Sequence, residues 1–137
     1  MPPTWDQFVA ELQLYNHEFS VISLAETNID QCNQGMYQID NYQSIYQSKI
    51  SNKLKGSGVG MYIHKNYNFT EIPQISCCTY NLEALFVTIT NTKVPLTVGV
   101  VYRPPNGNIN SFNDEFEQLL SQLPNKNVYI QGDFNII

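Results

Sequence analysis

Charged residues are scarce in this chain, at 14% of 137 residues, against about a quarter in typical soluble domains. Asn and Gln, at 16 and 11 residues, take their place. Basic residues are fewer than acidic ones: the chain has seven Lys and Arg against twelve Asp and Glu, which gives a net charge of −5. So few cations argue against non-specific binding to nucleic acid, which needs several of them on one face. The composition is still compatible with an acidic site that binds phosphate through a divalent metal ion, because the ion supplies the positive charge.

Long hydrophobic runs are also missing. No stretch approaches the roughly 18–20 apolar residues that cross a bilayer, and the N-terminus lacks the basic and apolar regions of a secretory signal. The three cysteines, of which Cys77 and Cys78 are neighbours, are poorly suited to a disulfide framework. We therefore expect a reducing compartment. The 42% of hydrophobic residues are enough for one packed core, and the length suits one domain.

Two segments have the apolar spacing of amphipathic helices, residues 5–16 and 112–123. Thr4, with Gln7 three residues later, fits a capping box at the start of the first helix. The candidate N-caps of the second helix are Asn110 and Ser111.

The rest of the chain is rich in short strand-like segments. They lie at residues 19–25, 42–47, 59–64, 67–72, 83–90, 96–102 and 128–131. Strands between two helices predict an α/β fold with a mixed, mostly antiparallel sheet and two helices. We expect residues 1–137 to form a single domain or part of one, truncated at both ends.

Polar residues follow three of the predicted strands at their carboxyl ends, the edge where α/β sheets bind ligands. They are Glu26 in LAETN, Tyr102 in VYRPPN, and Asp133 with Asn135 in GDFN. Asp133 and Asn135 are two apart and would share one side of an extended chain. Each segment alone has a simpler interpretation: a Glu after a strand is usually solvated, and a Gly-Asp pair is usually a turn. Three such segments at the same relative place favour a shared site.

These motifs resemble those of the endonuclease/exonuclease/phosphatase superfamily. The sequence is most similar to the endonuclease domain of non-LTR (LINE-type, jockey-like) retrotransposons, which precedes a reverse transcriptase. The stretch GSGVGMYI at residues 56–63 resembles the glycine-rich start of a strand in that group. The resemblance covers nearly the whole chain.

The resemblance implies a role for each residue in phosphodiester hydrolysis. Glu26 would ligate Mg²⁺, or Mn²⁺ in its place, since hard cations prefer carboxylate oxygen. Asp133 would position or deprotonate the attacking water, Asn135 would donate its amide to a phosphate oxygen, and Tyr102 would hydrogen-bond the scissile phosphate. Glu83 would be a supporting carboxylate near Tyr102, although a lone Glu at a strand start is more often structural.

The resemblance also implies a partial four-layer α/β/β/α sandwich of the deoxyribonuclease-like type. The family has an Asn on a strand before the first helix and a Ser-Asp-His near its C-terminus, and the printed sequence contains neither. We therefore expect a fragment that is inactive alone, holds most of one sheet and exposes its apolar inner face. The implied partners are a DNA substrate and a reverse transcriptase in the same polyprotein, with no membrane. The implied location is inside the cell, and nuclear for action on chromosomal DNA.

Two alternatives remain open. One is a degenerate, non-catalytic remnant or interaction module, and the other is an exonuclease or phosphatase of the same superfamily. A calcineurin-like two-metal site needs more histidines than His17 and His64, neither of which is expected to be catalytic. No strand is followed by the G-x-G-x-x-G turn of a dinucleotide-binding unit.

Overall fold

Two β-sheets pack face to face, with one α-helix against the outer face of each. The structure, a computed structural model, describes residues 4–15, 17–29, 33–47, 58–124 and 127–135. In chain order the elements are α1 (Trp5–Leu12), β1 (Val21–Ala25), a 3-10 helix (Gln34–Met36), β2 (Tyr42–Gln47), β3 (Val59–His64), β4 (Phe69–Glu71), β5 (Cys77–Cys78), β6 (Glu83–Ile89), β7 (Leu96–Tyr102), α2 (Ile109–Ser121) and β8 (Val128–Asp133). None of the helices in these ranges is long and apolar enough to cross a membrane.

The sheets confirm the prediction of a mixed, mostly antiparallel arrangement. The first sheet has the order β1-β3-β2 and is antiparallel throughout. The second has the order β4-β6-β7-β8, and β5 pairs with β6. Only β7 and β8 run parallel among the pairs in the described part of the chain. Parallel neighbours need a crossover connection, and α2 provides it.

The main core lies between the two sheets. All six residues of β3 are buried. The side chains on one face of β3 contact β6 and β7, and those on the other face lie towards helix α1. The buried inner residues are Val59, Met61, Ile63, Leu85, Val87, Ile89, Val98, Val100 and Tyr102. The expectation of one sheet with an uncovered apolar face is therefore wrong, since each sheet covers the inner face of the other.

The helices complete a four-layer α/β/β/α arrangement. On α2, Phe112 and Leu119 pack against Ala84, Phe86 and Val101 on the outer face of the second sheet. On the other side Trp5 of α1 contacts Tyr62 of β3, with ring centroids 5.9 Å apart. The capping box of α1 is confirmed: the Gln7 amide donates to Thr4 Oγ1, and the Thr4 amide donates to Gln7 Oε1.

Several boundaries differ from the predictions for local reasons. Helix α2 begins at Ile109 because the Asn108 side chain accepts from the amides of Asn110 and Ser111, the two predicted caps. Helix α1 ends at Leu12, and Asn16 lies outside the described residues, as do 56 and 57 of the glycine-rich stretch. Strand β8 continues two residues beyond its predicted end at 131, so the Gly-Asp pair lies in the strand and not in a turn.

Candidate active site

Tyr102 lies at the centre of the candidate site, at the carboxyl end of β7. In the second sheet its register neighbours are Glu83 on β6 and Asp133 on β8. From the first sheet, Glu26 follows the end of β1, and the Tyr102 hydroxyl donates a hydrogen bond of 2.7 Å to Glu26 Oε1. The structure thus brings together a tyrosine and two carboxylates from three strands of the second sheet and one carboxylate from the end of β1, although Glu26 and Tyr102 are 76 positions apart.

An unusual backbone conformation turns Glu26 towards Tyr102. Glu26 and Asn28 both have a φ of +54°, in the left-handed region that non-glycine residues rarely adopt. Between them, the Thr27 amide donates to the Gly58 carbonyl at 3.1 Å, and Thr27 Oγ1 accepts from the Ile29 amide at 3.2 Å. These bonds hold the turn that directs the Glu26 carboxylate across the gap between the sheets.

Glu83 joins the two sheets beneath the site. It is fully buried, and its Oε1 accepts a 2.7 Å hydrogen bond from the Gly58 amide at the start of β3. Gly58 has a φ of +102°, and a Cβ there would lie 2.7 Å from Thr27 Oγ1, so the position requires glycine. Glu83, Gly58 and Thr27 therefore form a chain of contacts that ends beside Glu26.

Asp133 and Asn135 lie where the chain leaves β8. Asp133 is exposed, and its Oδ1 accepts from the Asn135 amide at 3.1 Å. Asn135 has a φ of +48°, and its side-chain amide donates to the Arg103 carbonyl. The expectation of an extended chain through Asn135 is wrong, because the Asn135 backbone lies in the left-handed region. The second N–H of the Asn135 side-chain amide makes no hydrogen bond to any of the residues that the structure describes.

The surroundings of Tyr102 keep its hydroxyl protonated. Burial raises the pKa of Tyr102, the hydrogen bond to Glu26 raises it further, and the charges of Glu26, Glu83 and Asp133 act in the same direction. At neutral pH Tyr102 is therefore a neutral hydrogen-bond donor at the edge of an acidic region.

A hard divalent cation fits this set of donors. Mg²⁺ is usually bound by one or two carboxylates and keeps several waters, with substrate phosphate completing its shell. Glu26 is an exposed carboxylate held in place by Tyr102. No group of three or more His, Cys, Asp or Glu in the described ranges is arranged to hold a metal by itself. The donors suit an ion held by Glu26, water and phosphate rather than a closed structural site.

The two histidines lie elsewhere. His64 is at the end of β3 remote from Glu26, and its Nε2 is 3.3 Å from Glu18 Oε1. His17 is exposed in the segment after α1. Sequence reasoning assigned no role to Arg103, which donates to the carbonyl of Asn135 at 2.8 Å. One feature of the sequence could have singled it out: Arg103 is the single arginine of the chain.

No protein-family model matches the chain, and no curated protein matches it in sequence. Several solved structures are similar in fold, including the following two. The endonuclease domain of TRAS1, a telomere-specific non-LTR retrotransposon, has a TM-score of 0.62 and 16% identity over 86% of this chain and 48% of its own. The human Nocturnin catalytic domain with bound sulfate has a TM-score of 0.53 and 14% identity over 86% of this chain and 52% of its own. The chain thus spans about half the length of each. Both belong to the endonuclease/exonuclease/phosphatase superfamily, and this chain has the fold of that superfamily.

Proposed function

We propose that the chain is part of a Mg²⁺-dependent phosphodiesterase domain that nicks DNA, of the kind found in non-LTR retrotransposons. The observation that carries the proposal is the hydrogen bond from Tyr102 to Glu26, which joins the two sheets beside Asp133. The similar fold of the TRAS1 endonuclease domain favours DNA as substrate. On this proposal the chain would work beside a reverse transcriptase in the same polyprotein, on chromosomal DNA in the nucleus.

Each side chain has a chemical task in this proposal. A Mg²⁺ ion bound at Glu26 would neutralise charge on the phosphate. Asp133, exposed at the end of β8, accepts a proton from the attacking water. Tyr102 stays protonated, and its hydroxyl, which here donates to Glu26, would hydrogen-bond the scissile phosphate. The remaining N–H of the Asn135 amide donates to a phosphate oxygen, where negative charge grows in the transition state.

Plasmid nicking tests the proposal. We expect the 137-residue chain alone to leave supercoiled plasmid intact with Mg²⁺, because the sequence lacks the family's Asn and Ser-Asp-His. In the complete domain, encoded together with its flanking sequence, we expect cleavage that Glu26→Ala or Asp133→Ala abolishes while the circular dichroism spectrum is kept. Cleavage retained in either variant would contradict the assigned roles.

A second candidate keeps the chemistry and changes the substrate. The likeness to the Nocturnin catalytic domain favours an exonuclease or phosphatase of the same superfamily. Supercoiled plasmid, end-labelled oligonucleotide and a phosphate monoester, offered to the complete domain in parallel, distinguish the two. Nicked circles without release of terminal nucleotides or inorganic phosphate would support the endonuclease. Turnover of none of the three by a folded complete domain would favour the non-catalytic alternative.

A further inference from the structure

Arg103 makes a reciprocal set of contacts with the segment that carries Asp133 and Asn135. Its backbone amide donates to the Asp133 carbonyl at 2.8 Å, and its own carbonyl accepts from the Asn135 side-chain amide. Its Nη1 donates to the Asn135 carbonyl at 2.8 Å and to the Phe134 carbonyl at 3.5 Å. One residue of the YRPPN loop therefore contacts all three residues of the Asp-Phe-Asn segment.

Among the described residues, the segment also has an apolar support. The Phe134 ring contacts Phe112 and Phe116 of α2, with centroids 6.2 and 5.8 Å apart. This contact anchors the middle of the segment to the helix but does not determine the orientation of the polar residues on either side. The guanidinium and backbone of Arg103 supply that restraint through hydrogen bonds.

Stability alone does not explain a guanidinium at this position. Its Nε is buried and has no hydrogen-bond partner among the described residues, and leaving a buried donor of a charged group unpaired is unfavourable. A side chain serving only to fill this space could be apolar. The arrangement is instead that of a residue whose contacts hold the carbonyls of Phe134 and Asn135.

We propose that Arg103 is a positioning residue, which holds Asp133 and Asn135 in register with Tyr102 and Glu26. This inference rests on the proposed function, because it assigns the position of the groups that would act on water and phosphate. Arg103 itself touches no reacting atom in this proposal. Its neighbour Tyr102 meets Glu26, so the loop links the metal-binding side of the site to the Asp-Phe-Asn side.

The test compares three variants of the 137-residue chain. Arg103→Met removes the guanidinium and keeps much of its length. Arg103→Lys keeps one nitrogen, which suffices in principle because Nη1 alone serves both carbonyls. Lys93→Met is the matched control, since it removes one positive charge from an exposed turn at the other end of β7. Urea midpoints separate a global loss of stability from a local effect.

Two site-specific measurements report the position of the segment. The first is hydrogen exchange of the Asn135 amide, which donates to Asp133 Oδ1. We expect it to rise at least about tenfold in Arg103→Met, the factor that one charge-assisted hydrogen bond implies, and to rise less in Arg103→Lys. The second is the broadening of NMR signals by Mn²⁺, which we expect at residues 26, 102 and 133–135 in the original chain. In Arg103→Met the broadening should remain at 26 and 102 and weaken at 133–135.

The outcomes separate this inference from the function on which it rests. Unchanged exchange and unchanged broadening at 133–135 in Arg103→Met would overturn the positioning role. No broadening at Glu26 in the original chain would count against the metal site, while the exchange result would still decide the positioning role. If Arg103→Met does not fold, Asn135→Ala removes the reciprocal bond to the Arg103 carbonyl. It should then increase exchange of the Arg103 amide, which donates to the Asp133 carbonyl, and unchanged exchange there would overturn the inference.

Discussion

Replacing Gly132 by alanine tests how closely β8 approaches β7 directly before Asp133. A Cβ at this position would overlap the Val101 carbonyl oxygen and lie 2.9 Å from the Val101 carbonyl carbon. The obstacle is backbone, so no change of rotamer relieves it, and the strand ends must separate by roughly 1 Å. We expect two or three hydrogen bonds near the end of β8 to weaken, including the one from the Arg103 amide to the Asp133 carbonyl. At about 1 kcal/mol each, in addition to overpacking, the loss is about 2–4 kcal/mol.

Urea unfolding of the 137-residue chain, followed by circular dichroism, measures this loss. With a slope of about 2 kcal/mol per molar urea, Gly132→Ala should lower the midpoint by about 1–2 M. Gly35→Ala is the matched control, because a Cβ at Gly35 meets nothing within 4 Å, and it should stay within about 0.5 kcal/mol of the original chain. Equal midpoints for the two variants would refute the close approach of β8 to Val101, and with it the position given to Asp133.

Three further predictions concern other contacts. Gly99→Ala places a Cβ within 2.6 Å of three atoms of the buried Phe86 ring, so it should lower the free energy of unfolding in urea by about 1–3 kcal/mol. Adding Phe86→Leu to the same chain should recover part of that loss, and full additivity of the two losses would argue against the contact. Thr4→Ala removes the N-cap of α1 and should lower the free energy of unfolding by about 1 kcal/mol, whereas Thr4→Ser should change it little. Equal losses of stability in the two variants would count against the cap. Burial holds the pKa of Tyr102 above its unfolded value of about 10, so its contribution to stability is complete below pH 10 and declines above it. Tyr102→Phe should therefore reduce the alkaline loss of stability by up to about 1.4 kcal/mol per pH unit, and an unchanged slope between pH 10 and 11 would contradict this.

Local patterns in the sequence predicted the elements best where the local signal was strong. Strand β7 has the predicted bounds and β6 ends one residue before its prediction, since both are runs rich in apolar and β-branched residues. The shorter, mixed strands β2 and β3 also have the predicted bounds. The capping box of α1 was predicted because it depends only on Thr4 and Gln7. Helix α2 was placed too late by three residues, because several adjacent Asn and Ser residues could cap it and only the fold selected Asn108.

The sequence by itself determined which residue types follow the strand ends, and the resemblance of those motifs placed Glu26, Tyr102 and Asp133 among the candidates. Only the tertiary structure decided how they meet. The bond from Tyr102 to Glu26 spans 76 positions, that from Gly58 to Glu83 spans 25, and that from Arg103 to Asn135 spans 32. Contacts of this kind leave no periodic or local pattern in a chain, because they depend on which sheet faces which. For the same reason the local sequence gives no sign that Gly132 lies in a strand: this position requires glycine because of the backbone of Val101, 31 positions earlier on the neighbouring strand.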